Sequence, residues 1–179
     1  MDVVCAVLAA GLSTRLGRPK QLLEFRGKPL IRHAAEVAVR VGKTIVVVPS
    51  GQFHDLIKDL DVTIIDNDRP QDGVSVSIHR AVEAARGARI LFTLCDQPLV
   101  TSEHLRALVA EDAPIVATGY RGIAGVPAVF APQFASELLA LRGDRGARSV
   151  IDAHRDETTV IPFEDAGVDI DTDADYLKL

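Results

Sequence analysis

Val3-Val4-Cys5-Ala6-Val7-Leu8-Ala9-Ala10-Gly11-Leu12-Ser13-Thr14-Arg15-Leu16-Gly17-Arg18-Pro19-Lys20 passes from an apolar run straight into a glycine-bearing basic loop. An unbroken run such as Val3–Leu8 reads as a strand covered on both faces, the kind that fills parallel sheets. The chain then alternates. Pro29–Val41 sets Leu30, Ile31, Ala34, Val37, Ala38 and Val41 at helical spacing before Gly42, and Thr44–Val48 is a second buried strand. A short helix over Phe53–Leu60 and a strand over Val62–Ile65 follow, then a helix over Ser75–Ala85 and a strand over Arg89–Cys95. Thr101 or Ser102 caps a helix running through Val109. The pattern continues with strands at Pro114–Thr118, Ala128–Phe130 and Thr159–Ile161, and helices at Gln133–Leu141, Ala147–His154 and Ala174–Leu179. Strand–helix alternation of this kind predicts an α/β fold: one Rossmann-like domain over residues 1–179, three layers around a mainly parallel mixed sheet.

Composition narrows the function. With 179 residues, 47% hydrophobic and 25% charged, the chain suits a single globular domain with a substantial core. No apolar run approaches the ~18 residues of a membrane span, and the N-terminus lacks the basic n-region of a signal peptide. Cys5 and Cys95 both lie in apolar runs, predicting reduced core thiols and a cytoplasmic setting. A net charge of −5 and 4% aromatics speak against nucleic acid. The charge is uneven: residues 1–32 carry a balance of +4 and residues 150–179 one of −7. These segments are either solvated faces or an anion site and a cation site.

Three segments offer chemistry from their residues alone. The loop after the first strand has neither a Walker A ending nor a GxGxxG fingerprint. Gly11 would allow a sharp turn and close approach of amides to an anion, and Arg15, Arg18 and Lys20 supply three cations within six residues. A triphosphate, with about four negative charges, suits such donors; a surface loop with incidental basic residues is the plain alternative. Asp96, in Cys95-Asp96-Gln97-Pro98, stands at a strand end where a carboxylate can hold Mg²⁺ against phosphate, or simply begin a turn. In Asp169-Ile170-Asp171-Thr172-Asp173-Ala174-Asp175, alternation puts Asp169 and Asp171 on one face, while Thr172 or Asp173 caps the last helix. Gln71-Asp72-Gly73-Val74-Ser75-Val76-Ser77 reads as a helix start, and Gly125-Val126-Pro127 and Gly143-Asp144-Arg145-Gly146-Ala147-Arg148 as turns. The five histidines show no paired-ligand spacing, so a zinc site or a Ser-His-Asp hydrolase has little support.

The loop Leu-Ala-Ala-Gly-x-Ser-x-Arg-x-Gly-x-x-Lys resembles the signature of nucleotidyltransferases with a glycosyltransferase-A-like fold. More narrowly, it is similar to the molybdenum cofactor cytidylyltransferase branch of the molybdopterin nucleotidyltransferases. The resemblance implies that Leu8, Ala9, Ala10, Gly11, Ser13, Arg15 and Lys20 wrap a nucleoside triphosphate. It implies catalytic roles for Arg15, Lys20 and Asp96, a Mg²⁺ held by Asp96 with Asp171 or Asp169, and a base and ribose pocket at Gly73 and Ser77. The expected reaction moves CMP from CTP to the terminal phosphate of a pterin-type molybdenum cofactor, with a molybdoenzyme as possible partner. Guanylyl relatives read Leu-Ala-Gly-Gly where this chain has Leu8-Ala9-Ala10-Gly11, which implies CTP in preference to GTP. A guanylyl or other nucleotidyl transfer to another phosphorylated acceptor, and a non-catalytic carrier of molybdenum cofactor, are the alternatives. Val126, where relatives often have His or Asn, leaves the acceptor open, and Arg121 and Arg148 are candidates to meet an anionic one.

Overall fold

The computed structural model describes residues 3–177. Its elements run β1 (Val3–Leu8), β2 (Glu24–Phe25), β3 (Lys28–Pro29), α1 (Leu30–Val39), β4 (Lys43–Pro49), β5 (Val62–Asn67), α2 (Val74–Ala85) and β6 (Arg89–Leu94). The chain continues with α3 (Ser102–Ala110), β7 (Ile115–Tyr120), β8 (Ile123–Phe130), α4 (Ala135–Ala140), α5 (Arg148–Ala153), β9 (Thr158–Pro162) and α6 (Asp173–Tyr176). Seven strands form one sheet in the order β5-β4-β1-β6-β8-β7-β9. All neighbours pair in parallel except β8, which runs antiparallel to both β6 and β7.

Period-two alternation sends each strand's side chains into two cores. Ala6, Phe92 and Phe130 meet Ile78 and Ala81 of α2, Leu138 of α4 and Ile151 of α5 on one face. Cys5, Val7, Val46 and Leu91 meet Ile31 and Ala35 of α1 and Leu105 and Leu108 of α3 on the other. The expected three layers are therefore present. From β1 the chain winds outward through β4 and β5, then returns to place β6 on the opposite side of β1. That reversal opens a crevice beyond the carboxyl ends of β1 and β6, the place where ligands of open α/β sheets bind.

Several expectations need correction. The helix expected over Phe53–Leu60 is only a 3-10 turn at His54–Leu56, entered through Phe53 at φ 63°. Residues 125–127, read as a turn, lie inside β8, whose backbone pairs with β7. The two-residue strands β2 and β3 were not anticipated; Arg26 and Gly27, both at positive φ, join them. Thr101 does cap α3, accepting from the His104 amide. Residues 178 and 179, placed in the last helix from sequence, lie outside the described residues.

Candidate active site

The crevice is a cleft of about 450 Å³ whose walls include Leu8, Ala10, Gly11, Ser13, Lys20 and Asp96. On the β1 side the loop is pinned from below. Gln21, fully buried, donates through Nε2 to the carbonyls of Ala9 and Gly11, both at 2.8 Å, which holds the start of the loop over the strand end. Ser13 makes the turn, at φ 53°: its carbonyl accepts from the amides of Leu16 and Gly17, and its Oγ accepts from the Lys20 amide at 3.0 Å. The sharp turn expected at Gly11 is therefore made two residues later. A Cβ on Gly11 would meet no atom within 4 Å, so its missing side chain leaves open space in the cleft wall.

Lys20 Nζ is the centre of the site. It donates to Asp96 Oδ2 at 2.5 Å, to Asp171 Oδ1 at 3.1 Å and to the Ile170 carbonyl at 3.3 Å. Burial alone would lower the Lys20 ammonium, but Asp96 and Asp171 outweigh it and hold it above its ordinary range. Burial pushes the Asp96 carboxyl up, against the pull of Lys20. Asp96 Oδ1 is buried with no hydrogen-bond partner, a cost that a ligand at this point would relieve. The remaining loop cations also face the acidic C-terminal segment. Arg15 pairs with Asp171 at 3.2 Å and Arg18 with Asp173 at 2.6 Å, and the side chains of both arginines stay more than half exposed. The basic and acidic ends of the sequence thus meet across one cleft.

The acidic segment is held in two ways. The Ile170 amide donates to the Asp96 carbonyl at 3.1 Å, tying it to the end of β6. Thr172 and Asp175 form a reciprocal capping box at the start of α6, and the Asp175 carboxylate reaches the Asp171 amide as well. Thr172, of the two caps considered, is the one used. The structure turns Asp171 toward Lys20 and Asp96 but turns Asp169 toward Arg121, 3.8 Å away. Two carboxylates and one carbonyl, all hard oxygen donors, therefore converge on a single cation position, now taken by the Lys20 ammonium. That donor set fits a hard divalent cation such as Mg²⁺ or Mn²⁺, which Asp96 and Asp171 would hold. Mg²⁺ takes about six oxygens and is held by one or two carboxylates with phosphate, so phosphate and water would complete a shell begun by these two side chains.

The opposite wall is built by α2. Gly73, at φ 92°, and Ser77 both line the cleft. A Cβ on Gly73 would lie 2.2 Å from the Gly143 carbonyl carbon, so glycine is needed for this close approach. The Ser75 amide donates to the Gly143 carbonyl, and Asp144 next to it enters the cleft wall. Ser77 Oγ accepts from Asn67 Nδ2 at 3.0 Å in a buried contact. Cys95 lines the cleft, but burial pushes its thiol up; Cys5 is pushed up to about 12. Neither thiol is an activated nucleophile. Sequence reasoning missed Gln21, whose only signal was adjacency to Lys20, and read Asp144 only as part of a turn over residues 143–148.

The family profile described as "MobA-like NTP transferase domain" matches residues 5–158. A probable molybdenum cofactor guanylyltransferase from Bacillus licheniformis is 26% identical over 117 residues, covering 64% of this chain and 58% of the relative. A molybdenum cofactor guanylyltransferase from Pseudomonas syringae pv. tomato is 30% identical over 103 residues, covering 57% of this chain and 51% of the relative. The alignments thus reach little more than half the length of these relatives. The crystal structure of Rv0371c from Mycobacterium tuberculosis H37Rv superposes with a TM-score of 0.86 at 25% identity, over 99% of this chain and 97% of that one. The same protein solved in complex with manganese gives a TM-score of 0.82 at 25% identity, over 100% of this chain and 98% of that one.

Proposed function

The chain belongs to the MobA-like NTP transferase family, and from that premise we propose that it transfers a nucleoside monophosphate from a triphosphate to the terminal phosphate of molybdenum cofactor. The acceptor oxygen forms a bond to the α-phosphorus, the bond from that phosphorus to the bridging oxygen breaks, and pyrophosphate leaves. An acceptor phosphate is already ionised near neutral pH, so no general base is needed. The observation that carries this reading is the convergence of Lys20, Asp96 and Asp171 at the end of β6. Lys20 and Arg15 would neutralise charge on the triphosphate as it develops at the reacting phosphorus. Asp96 and Asp171 would hold a Mg²⁺, which supplies Lewis-acid stabilisation of the phosphate oxygens. Residues 1–179 act as one nucleotidyltransferase domain in this reading, and the free, buried Cys5 and Cys95 favour the cytoplasm. No helix among the described residues is long and apolar enough to cross a membrane.

GTP is the donor with the better support, because the relatives named for molybdenum cofactor are guanylyltransferases. CTP is the second reading, and one residue favours it. The Ala10 methyl is buried in the cleft wall, where a smaller residue would leave more room for a purine. One methyl in a packed pocket is worth about 1–3 kcal/mol. Competition between GTP and CTP at equal concentration, with molybdenum cofactor as acceptor, separates the two. Ala10→Gly shifts the ratio toward GTP if the methyl sets it. A protein that binds molybdenum cofactor without releasing pyrophosphate from any triphosphate would be the carrier instead.

A further inference from the structure

The residue after Asp96 reaches into other parts of the chain. Gln97 is 5% exposed, and its Nε2 donates to the Ala166 carbonyl at 2.8 Å and to the Val126 carbonyl at 3.2 Å. Two carbonyls take both amide protons, so the side chain can sit only one way round. Val126 lies in the irregular part of β8, between the Gly125 and Ala128 pairs, and Ala166 lies in the 3-10 turn Glu164–Gly167 that follows β9. One buried amide therefore joins the end of β6 to both.

Ala166 leads directly into the acidic segment. Residues 168–172 belong to no helix or strand, so no ladder of backbone bonds fixes their path. The stretch before them is tied to residue 97 by the Gln97 amide. Their middle is tied to residue 96, because the Ile170 amide donates to the Asp96 carbonyl at 3.1 Å. Ala166 and Ile170 are both buried. Asp171 follows the second tie at once, and its carboxylate faces Lys20 alongside that of Asp96. The dipeptide Asp96-Gln97 thus carries one of the converging carboxylates and fixes the segment that brings the other.

We propose that Gln97 is a positioning residue for Asp171, its amide setting the separation of the two carboxylates that would hold the divalent cation. The inference rests on the nucleotidyl-transfer reading above. Its consequence is metal selectivity. Mg²⁺ needs near-octahedral oxygens at about 2.0–2.1 Å, whereas Ca²⁺ accepts about six to eight at about 2.3–2.6 Å in a flexible arrangement. Two carboxylates held at one separation suit the first, and a slackened Asp171 still serves the second. Without the Gln97 amide the Ala166 and Val126 carbonyls lose a buried donor, and the stretch leading to Asp171 shifts to recover one.

Paramagnetic resonance of Mn²⁺, with the full chain in excess over GTP or CTP, whichever binds more tightly, measures bound cation without turnover. Competition by Mg²⁺ or Ca²⁺ then gives the affinity of each. Gln97→Met, similar in length and without the amide, should weaken Mg²⁺ about fivefold or more and Ca²⁺ less than about twofold. In an Asp171→Asn background the same change should shift Mg²⁺ by less than about twofold, since the carboxylate it positions is gone. Gln97→Asn, with its amide one methylene short, should show the same selective loss and decides the matter if Gln97→Met does not fold. Mg²⁺ and Ca²⁺ weakened alike, neither weakened, or an undiminished Mg²⁺ loss in the Asp171→Asn background would overturn the positioning role. If the wild type binds triphosphate and cation but transfers to no acceptor, the nucleotidyl-transfer reading fails and the same variants still decide Gln97. If the wild type holds no more cation than the triphosphate does alone, both fall.

Discussion

At the scale of single residues the site turns on Lys20, whose ammonium faces two carboxylates and a carbonyl at once. An ammonium is a compact point charge on a flexible stem, able to leave a carboxylate for a phosphate oxygen when a triphosphate and a divalent cation arrive together. In the proposed transfer its work would be greatest where negative charge grows at the α-phosphorus. Lys20→Ala should lower kcat about two to three orders of magnitude while weakening triphosphate binding far less. Rapid-quench turnover measured beside equilibrium binding separates the two. Unchanged turnover with only a raised KM would reduce Lys20 to a binding cation. This part of the site was legible in the sequence, because Arg15, Lys20 and Asp96 carry charge and follow strands. Gln21 was not legible, because a buried amide pinning two carbonyls looks in one dimension like any polar residue at a helix start. Asp169 shows the converse limit. Alternation gives a shared face only while a segment stays extended, and Asp169 meets Arg121 while Asp171 meets Lys20.

At the scale of elements, buried strands and amphipathic helices were readable because each is repeated apolar signal over six or more residues. The β2–β3 hairpin, two residues a side, is below what periodicity can register. β8 was read too short for a related reason: Gly125 and Pro127 are turn formers by type, yet Gly125 pairs with Thr118 of β7, and Val126 and Pro127 are taken up in an irregularity between that pair and Ala117–Ala128. The start of α2 shows how an element end becomes part of a site. Gly73 permits positive φ and backbone contact with Gly143, and so carries Asp144 into the cleft wall. Gly73→Ala strains φ and drives a Cβ into the Gly143 carbonyl, so it should cost about 1–3 kcal/mol by denaturant titration and weaken triphosphate binding in parallel. Stability and binding both equal to wild type would show that the 143–144 segment is not a wall of the nucleotide site.

Over the whole molecule, seven strands place a basic loop and an acidic tail at the same end of one sheet. On the other face of the sheet from α2, buried groups mainly set stability. His104 is buried, stacks on Phe163 at 4.3 Å and donates through Nε2 to Thr118 Oγ1, whose own proton goes to the Pro127 carbonyl. Burial holds its imidazole down to about 4, against an ordinary 6.5. Between those values the unfolded chain binds a proton that the native chain refuses, so stability falls as pH drops from about 6.5 to about 4 and this contribution levels off below. Melting temperatures across that window should fall less steeply for His104→Gln than for wild type; equal slopes would remove His104 from the acid response. Label transfer tests most directly whether the cleft between β1 and β6 moves a nucleotidyl group under the control of Asp96. With α-labelled GTP or CTP, Mg²⁺ and molybdenum cofactor, the wild type should place label on the acceptor with one pyrophosphate released per label. Asp96→Asn, still folded, should fall by about two orders of magnitude or more. Release of pyrophosphate without label on the acceptor, or near-normal transfer by Asp96→Asn at saturating Mg²⁺, would contradict the account.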